Sequence, residues 1–187
     1  MNLSLAIWMP IIFGIILLGS GSDRNTKYVR YFALIAALLS FMVTLPLVID
    51  FDVTKTGMQF VENVPWVARY DLRYHLGVDG ISVWFVVLTA LITVLVILAG
   101  WEVIRERVSQ YMAAFLILSG LMIGVFASLD GMLFYVFFES TLIPMYVIIG
   151  VWGGHQRIYA AFKFFLYTLM GSLLTLVAIL YLYNATD

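Results

Sequence analysis

Six apolar runs divide the chain, at residues 3–19, 28–49, 80–101, 111–129, 132–151 and 158–183. A helix rising about 1.5 Å per residue needs about 20 apolar residues to cross a hydrocarbon core of about 30 Å, and each run reaches or approaches that length. Lipid offers the backbone no hydrogen-bond partner, so a crossing segment must satisfy its own amides and carbonyls. The alternation that a barrel strand needs is absent from the runs. The expectation is an all-α fold, a single membrane domain over residues 1–187 built as a bundle of six transmembrane helices. Composition agrees. The chain is 64% hydrophobic and 11% charged, whereas a soluble domain is roughly half apolar and a quarter charged. A water-soluble fold of this size could not hide so much apolar surface. The first run lacks a basic segment before it and a clear small-residue cleavage site after it, so it is expected to be a retained helix and not a signal peptide.

The polar breaks carry an uneven distribution of cations. The break after the first run holds Arg24 and Lys27, with Arg30 nearby; the break after the third holds Arg105 and Arg107; the turn after the fifth holds Arg157, with Lys163 just beyond. The N-terminus and the turn at Asp130 hold none, and only the long second break, with Lys55, Arg69 and Arg73, departs from the pattern. Cytoplasmic loops are enriched in Lys and Arg, which puts the N-terminus outside and the odd-numbered loops in the cytoplasm. Trp66, Tyr70, Trp101 and Trp152 suit interfacial anchoring. The charged segment 102–110, with Glu102, Arg105, Glu106 and Arg107, reads as a solvated loop, and His155 as an exposed turn residue.

One charge stands inside an apolar run. Glu139 lies roughly 10 Å along the fifth run at 1.5 Å per residue. An acid at the centre of a membrane helix costs about 2.5–3.5 kcal/mol on insertion scales, and such acids generally carry function. A cation, water or a bound proton must offset the cost. Burial disfavours the charged carboxyl and a cation favours it, and a group held between these influences can load and release a proton. Tyr135, Glu139, Leu142 and Tyr146 share one helical face. Pro144 cannot donate to the carbonyl of Ser140, and a kink there would open room beside the acid. Lys163 is the second candidate. It lies about five residues into the sixth run on a stripe with Tyr159, Tyr167 and Met170. A straight count separates it from Glu139 by about 10 Å or more in depth, so no direct salt bridge is expected; snorkelling to the interface is its other reading.

The remaining features read as structural. Gly120, Gly124 and Ser128 form a small-residue ridge for close helix packing. Asp79 precedes the third run as a helix cap. The absence of cysteine removes disulfides, Cys-ligated zinc and iron–sulfur clusters. With only His75 and His155, a bis-histidine haem is not expected, and a net charge of −1 without a basic stripe gives no field for nucleic acid. No phosphate-binding loop, HExxH or dinucleotide fingerprint occurs.

Three motifs carry a resemblance. LFYVFFESTLIPM at 133–145, LGVDGIS at 76–82 and RIYAAFKFFLYT at 157–168 resemble the fifth helix, the segment before helix 3 and the opening of helix 6 in the subunit M (chain 4) family of NADH-quinone oxidoreductase, complex I. These are antiporter-like membrane subunits. The LGVDGIS-type segment is shared with Mrp-type cation/proton antiporters and hydrogenase membrane arms. The resemblance runs from Met1 and covers the N-terminal part of a longer family architecture. It implies proton translocation in a bacterial cytoplasmic membrane, driven by distant quinone reduction, with the chain acting as a non-redox subunit of a translocase. Its implied partners are the other membrane-arm subunits and the bilayer. It implies no cofactor in this chain; NADH, FMN, iron–sulfur clusters and quinone belong to other subunits. In the family the helix 5 glutamate, which Glu139 matches, pairs with a lysine on helix 7; Lys163 matches the family's helix 6 lysine.

Overall fold

The computed structural model describes residues 2–20 and 25–186, so Arg24 lies outside the described residues. It shows α1 (Leu3–Ser20), α2 (Thr26–Ile49), β1 (Gln59–Val67), β2 (Leu72–Val78), α3 (Ser82–Val103), α4 (Val108–Ala127), α5 (Gly131–Trp152) and α6 (Arg157–Thr186). The six-helix bundle expected from the apolar runs is present. Helices α2 to α6 are long and apolar enough to cross a membrane, and α1 is shorter, at 18 residues. The chain is a multi-pass membrane protein.

Helix α4 is the hub. It packs on α1, α2, α3 and α5, while α6 lies against α5. The sequence of α4 explains its place. Lipid tails are as apolar as leucine, so helices associate by close packing and not by expelling water. Gly120 lets the carbonyl of Ile7 approach, and a Cβ placed there would overlap it. At Gly124 a Cβ would fall 2.6 Å from the Phe137 ring, so that ring fills the notch. Gly14 does the same on α1, where a Cβ would meet Ile117 at 2.6 Å. Gly120 and Gly124 of the small-residue ridge are therefore packing notches on two faces of α4, while Ser128 lies just past its end and donates to the Gly124 carbonyl. Two apolar clusters form the core, one around Leu3, Ile7, Val86 and Ile123, the other around Leu17, Ala33, Ile97 and Leu116.

The long second break differs from the loop read in the sequence. Much of it is an antiparallel hairpin, with Val64 opposite Tyr74 and Asn63 opposite His75. The signal was the period-2 alternation of Leu72, Tyr74, Leu76 and Val78; Leu76 and Val78 are fully buried. The hairpin caps one end of the bundle. Glu62 accepts from the Ser4 amide at 3.1 Å and from the Ser4 hydroxyl, satisfying donors at the start of α1. Tyr74 accepts from Trp8 Nε1 at 3.1 Å, and the Leu129 amide donates to the His75 carbonyl at 2.9 Å. Two of the three cations that broke the charge pattern are paired locally, Lys55 with Asp52 at 3.5 Å and Arg73 with Asp71 at 3.3 Å.

The other end gathers the odd-numbered loops. Arg30 donates to the Ile104 carbonyl at 3.0 Å and Trp152 Nε1 to the Glu106 carbonyl at 3.0 Å. The expected loop at 102–110 is only residues 104–107, because the flanking helices extend into it. His155 is exposed, as expected. Asp79 caps α3, its Oδ1 accepting from the amides of Ile81 at 3.1 Å and Ser82 at 2.6 Å, while Ser82 Oγ accepts from the Asp79 amide. The Ser82 amide bond holds the Asp79 carboxyl below its usual range.

The Gly120→Ala variant forces α1 and α4 apart at a backbone contact. It is expected to destabilise the bundle by about 1–3 kcal/mol, read as a lower Tm of the detergent-extracted assembly.

Candidate functional site

Asp130 sets the register of α5. The chain is extended at Ser128 and Asp130, and the Asp130 Oδ1 accepts from the amides of Met132 and Leu133, each at 2.9 Å. This cap satisfies two of the free amides at the helix start. From there α5 buries Leu133, Phe137, Leu142 and Pro144. Its neighbours are α4 on one side and α6 on the other.

Glu139 sits roughly 12 Å from the start of α5 at 1.5 Å per residue. It is half-buried, and its Oε2 is shielded from solvent with no hydrogen-bond partner. The residue lines a cleft of about 410 Å³ with Tyr135, Val136, Ser140, Leu142, Ile143 and Phe165. Of the face expected from the sequence, Tyr135, Glu139 and Leu142 line this cleft. Tyr146 lies further along and packs edge-on against Phe162 and Phe165, with ring centroids 5.7 and 5.4 Å away. The face read from helical spacing is therefore the α5–α6 seam.

Pro144 behaves differently from the expectation. It lies within α5 but lines another cleft, of about 220 Å³, with Leu18, Gln110, Ala114, Ile117, Ile143 and Val147. Only Ile143 is shared with the cleft of Glu139. The space beside the acid comes from the fit of Phe165 against α5, which helical spacing within α5 could not reveal.

Lys163 is exposed, as are Tyr159, Tyr167 and Met170 of its stripe. Its Nζ lies 5.7 Å from the Tyr159 ring centroid. The stripe points away from the cleft, into which α6 sends Phe165 instead. The ion pairs among the described residues lie at Lys55–Asp52 and Arg73–Asp71, so the structure brings Glu139 and Lys163 into no direct bridge, as the count of depth implied. Among the described residues no group of three His, Asp or Glu side chains could hold a metal ion.

Chemically, the site is an unpaired carboxyl facing a mostly apolar cleft whose polar lining comes from Tyr135 and Ser140. The Ser140 hydroxyl already donates to the Val136 carbonyl at 2.6 Å. The tyrosine is thus the neighbouring side chain with a phenolic proton free to donate toward an acceptor in the cleft.

Comparison with known proteins identifies the family. The family model for NADH-ubiquinone oxidoreductase chain 4, amino terminus, matches residues 4–127, and that for NADH:quinone oxidoreductase/Mrp antiporter transmembrane regions matches residues 128–187. The chain is 51% identical to NADH-quinone oxidoreductase subunit M of Rhodobacter capsulatus, over 97% of this chain and 35% of that protein. It is 49% identical to NADH-ubiquinone oxidoreductase chain 4 of Arabidopsis thaliana, over 96% of this chain and 36% of that protein. A chain of respiratory complex I from Thermus thermophilus with bound NADH superposes with a TM-score of 0.78 at 33% identity, over 95% of this chain and 35% of that one. The chain spans about a third of the length of the curated relatives it matches. With the fold, the α5 motif and the matched regions in agreement, the chain belongs to the family of NADH-ubiquinone oxidoreductase chain 4, called subunit M of NADH-quinone oxidoreductase in bacteria.

Proposed function

We infer that the chain forms part of a proton-translocating subunit in the membrane arm of an NADH-quinone oxidoreductase, in which quinone reduction elsewhere drives proton transfer. The observation that carries this reading is the Glu139 side chain inside α5, which lines a cleft and holds a shielded, unpartnered Oε2. A neutral carboxyl is tolerable there, and a charged one draws water or a cation into the cleft. The two protonation states therefore differ in what surrounds them, and a conformational signal that changes the surroundings changes the proton's affinity. Glu139 is the primary proton-carrying group. Lys163 is the second, acting through its exposed stripe and not through contact with Glu139.

On this reading the chain is a non-redox subunit of a translocase. Its partners are other membrane-arm subunits and the lipid bilayer. NADH, FMN, iron–sulfur clusters and quinone are held by other subunits; a cysteine-free chain is poor in ligands for such clusters. The location is a bacterial cytoplasmic membrane. The gathering of the odd-numbered loops, with their cations, at one end supports a cytoplasmic face there and an outer N-terminus.

A second reading, an Mrp-type cation/proton antiporter subunit, is kept because the region matched at residues 128–187 is described for both systems. Redox-independent, sodium-dependent exchange in vesicles would favour it, as co-purification with a flavin and iron–sulfur arm would favour the first.

In the intact complex, Glu139→Gln is expected to abolish proton pumping in reconstituted vesicles while the complex still assembles; pumping at the parental rate would overturn the assignment, and loss of assembly would make the residue a packing element. Lys163→Ala is expected to lower the pumping rate several-fold with assembly retained, measured by the same proton-uptake assay.

A further inference from the structure

A layer of buried hydroxyls lies between members of the two apolar clusters along α2, α3 and α4, where Phe41 packs against both clusters. Ser40 on α2, Thr89 and Thr93 on α3 and Ser119 on α4 are all buried, Ser119 to 3% exposure. Along each helix the layer falls between members of the two clusters. Ala37 and Leu47 flank Ser40, Ala90 and Val94 flank Thr93, and Leu116 and Ile123 flank Ser119. At 1.5 Å per residue, Ser40, Thr93 and Ser119 all lie roughly 12–17 Å from the hairpin end of their helices. The buried stripe of α3 that includes Thr89 and Thr93 faces α2 and α4, its packing partners.

Hydrogen-bond accounting leaves this layer short of donors. Ser40 donates to the Ala36 carbonyl at 2.8 Å, Thr89 to Phe85 at 2.7 Å and Thr93 to Thr89 at 2.8 Å. Each hydroxyl uses its one proton on its own helix and keeps lone pairs to accept with. Ser119 is the exception, for its Oγ is buried with no hydrogen-bond partner. An orphaned hydroxyl in an apolar interior is costly, and proteins commonly resolve that cost with a buried water holding two to four polar partners.

We propose that Ser119 anchors a single buried water that joins α4 to the hydroxyls of α2 and α3. The water accepts the Ser119 proton and donates to the lone pairs of Thr93 or Thr89 on α3 and of Ser40 on α2. It supplies the donors that the layer lacks, and it ties three helices at a depth where lipid supplies none. The buried residues of α2, α3 and α4 are apolar or hydroxyl-bearing and include no charged side chain, so the bound molecule is water and not an ion.

The test is a structure of the intact complex at a resolution that shows ordered waters, with the parental chain and with Ser119→Ala. The parental structure is expected to show one water within hydrogen-bond distance of Ser119 Oγ, of Ser40 on α2 and of Thr93 or Thr89 on α3, and the variant is expected to lose it and to melt at a lower temperature. A Ser119 hydroxyl turned onto the carbonyl of Phe115 with no water in the seam would overturn the proposal. So would an unchanged or higher Tm in the variant, the result for a hydroxyl that had no partner to lose.

Discussion

The approach of α4 to its neighbours governs the rest of the structure. In lipid no hydrophobic force drives one apolar helix onto another, and association depends on how closely backbones can come. Gly120 admits the Ile7 carbonyl and Gly124 admits the Phe137 ring. The first contact fixes α1 on one side of α4. The second fixes the rotation of α5 on the other, since Phe137 must point into the notch. Glu139 is two residues further along α5, about 200° around the helix at 3.6 residues per turn. With Phe137 turned to α4, Glu139 is carried toward the far side of α5, where α6 packs. The position of the acid thus follows from a glycine on a neighbouring helix.

The helical part of this fold was legible because lipid imposes a simple rule. Runs with no polar partner for their backbone become helices whatever their local propensity, and 80–101 and 132–151 needed no finer reading. The hairpin was not legible by that rule. Residues 50–79 lie outside the apolar runs, where polar composition reads as loop, and the short alternation of Leu72, Tyr74, Leu76 and Val78 was outweighed by its surroundings. What decides that alternation is tertiary: the Leu129 amide bonds the His75 carbonyl and Leu76 is buried beneath it.

The candidate site divides in the same way. Glu139 was legible because an acid within an apolar run is costly wherever it faces. The cleft was only half legible. Spacing put Tyr135 and Leu142 beside the acid, but the opposite wall is Phe165, and which face α6 turns inward cannot be read from α5. For the same reason Pro144 was read as opening room for Glu139, although it lines a separate cleft with residues of α1 and α4. The stripe of Tyr159, Lys163, Tyr167 and Met170 was legible as a stripe, and its exposure is a matter of how α6 packs on α5, which spacing does not encode.

The two polar places in the bundle differ in kind, and the difference bears on function. In the hydroxyl layer the groups keep neutral charge at every ordinary pH. Such a layer can hold helices together but has no second protonation state to switch between. At Glu139 the cleft is open and the polar group is a carboxyl, which has a neutral and a charged form. Its charge can therefore change with its surroundings, at a cost that the surroundings set. A bundle locked by glycine contacts thus carries, among its described residues, one carboxyl with a shielded, unpartnered oxygen inside the span of a long helix, at the seam where α5 meets α6. The proposed coupling to a distant event needs a group with two charge states in surroundings that differ between them, and among the described residues of the spans Glu139 is the carboxyl whose Oε2 is shielded and without a partner.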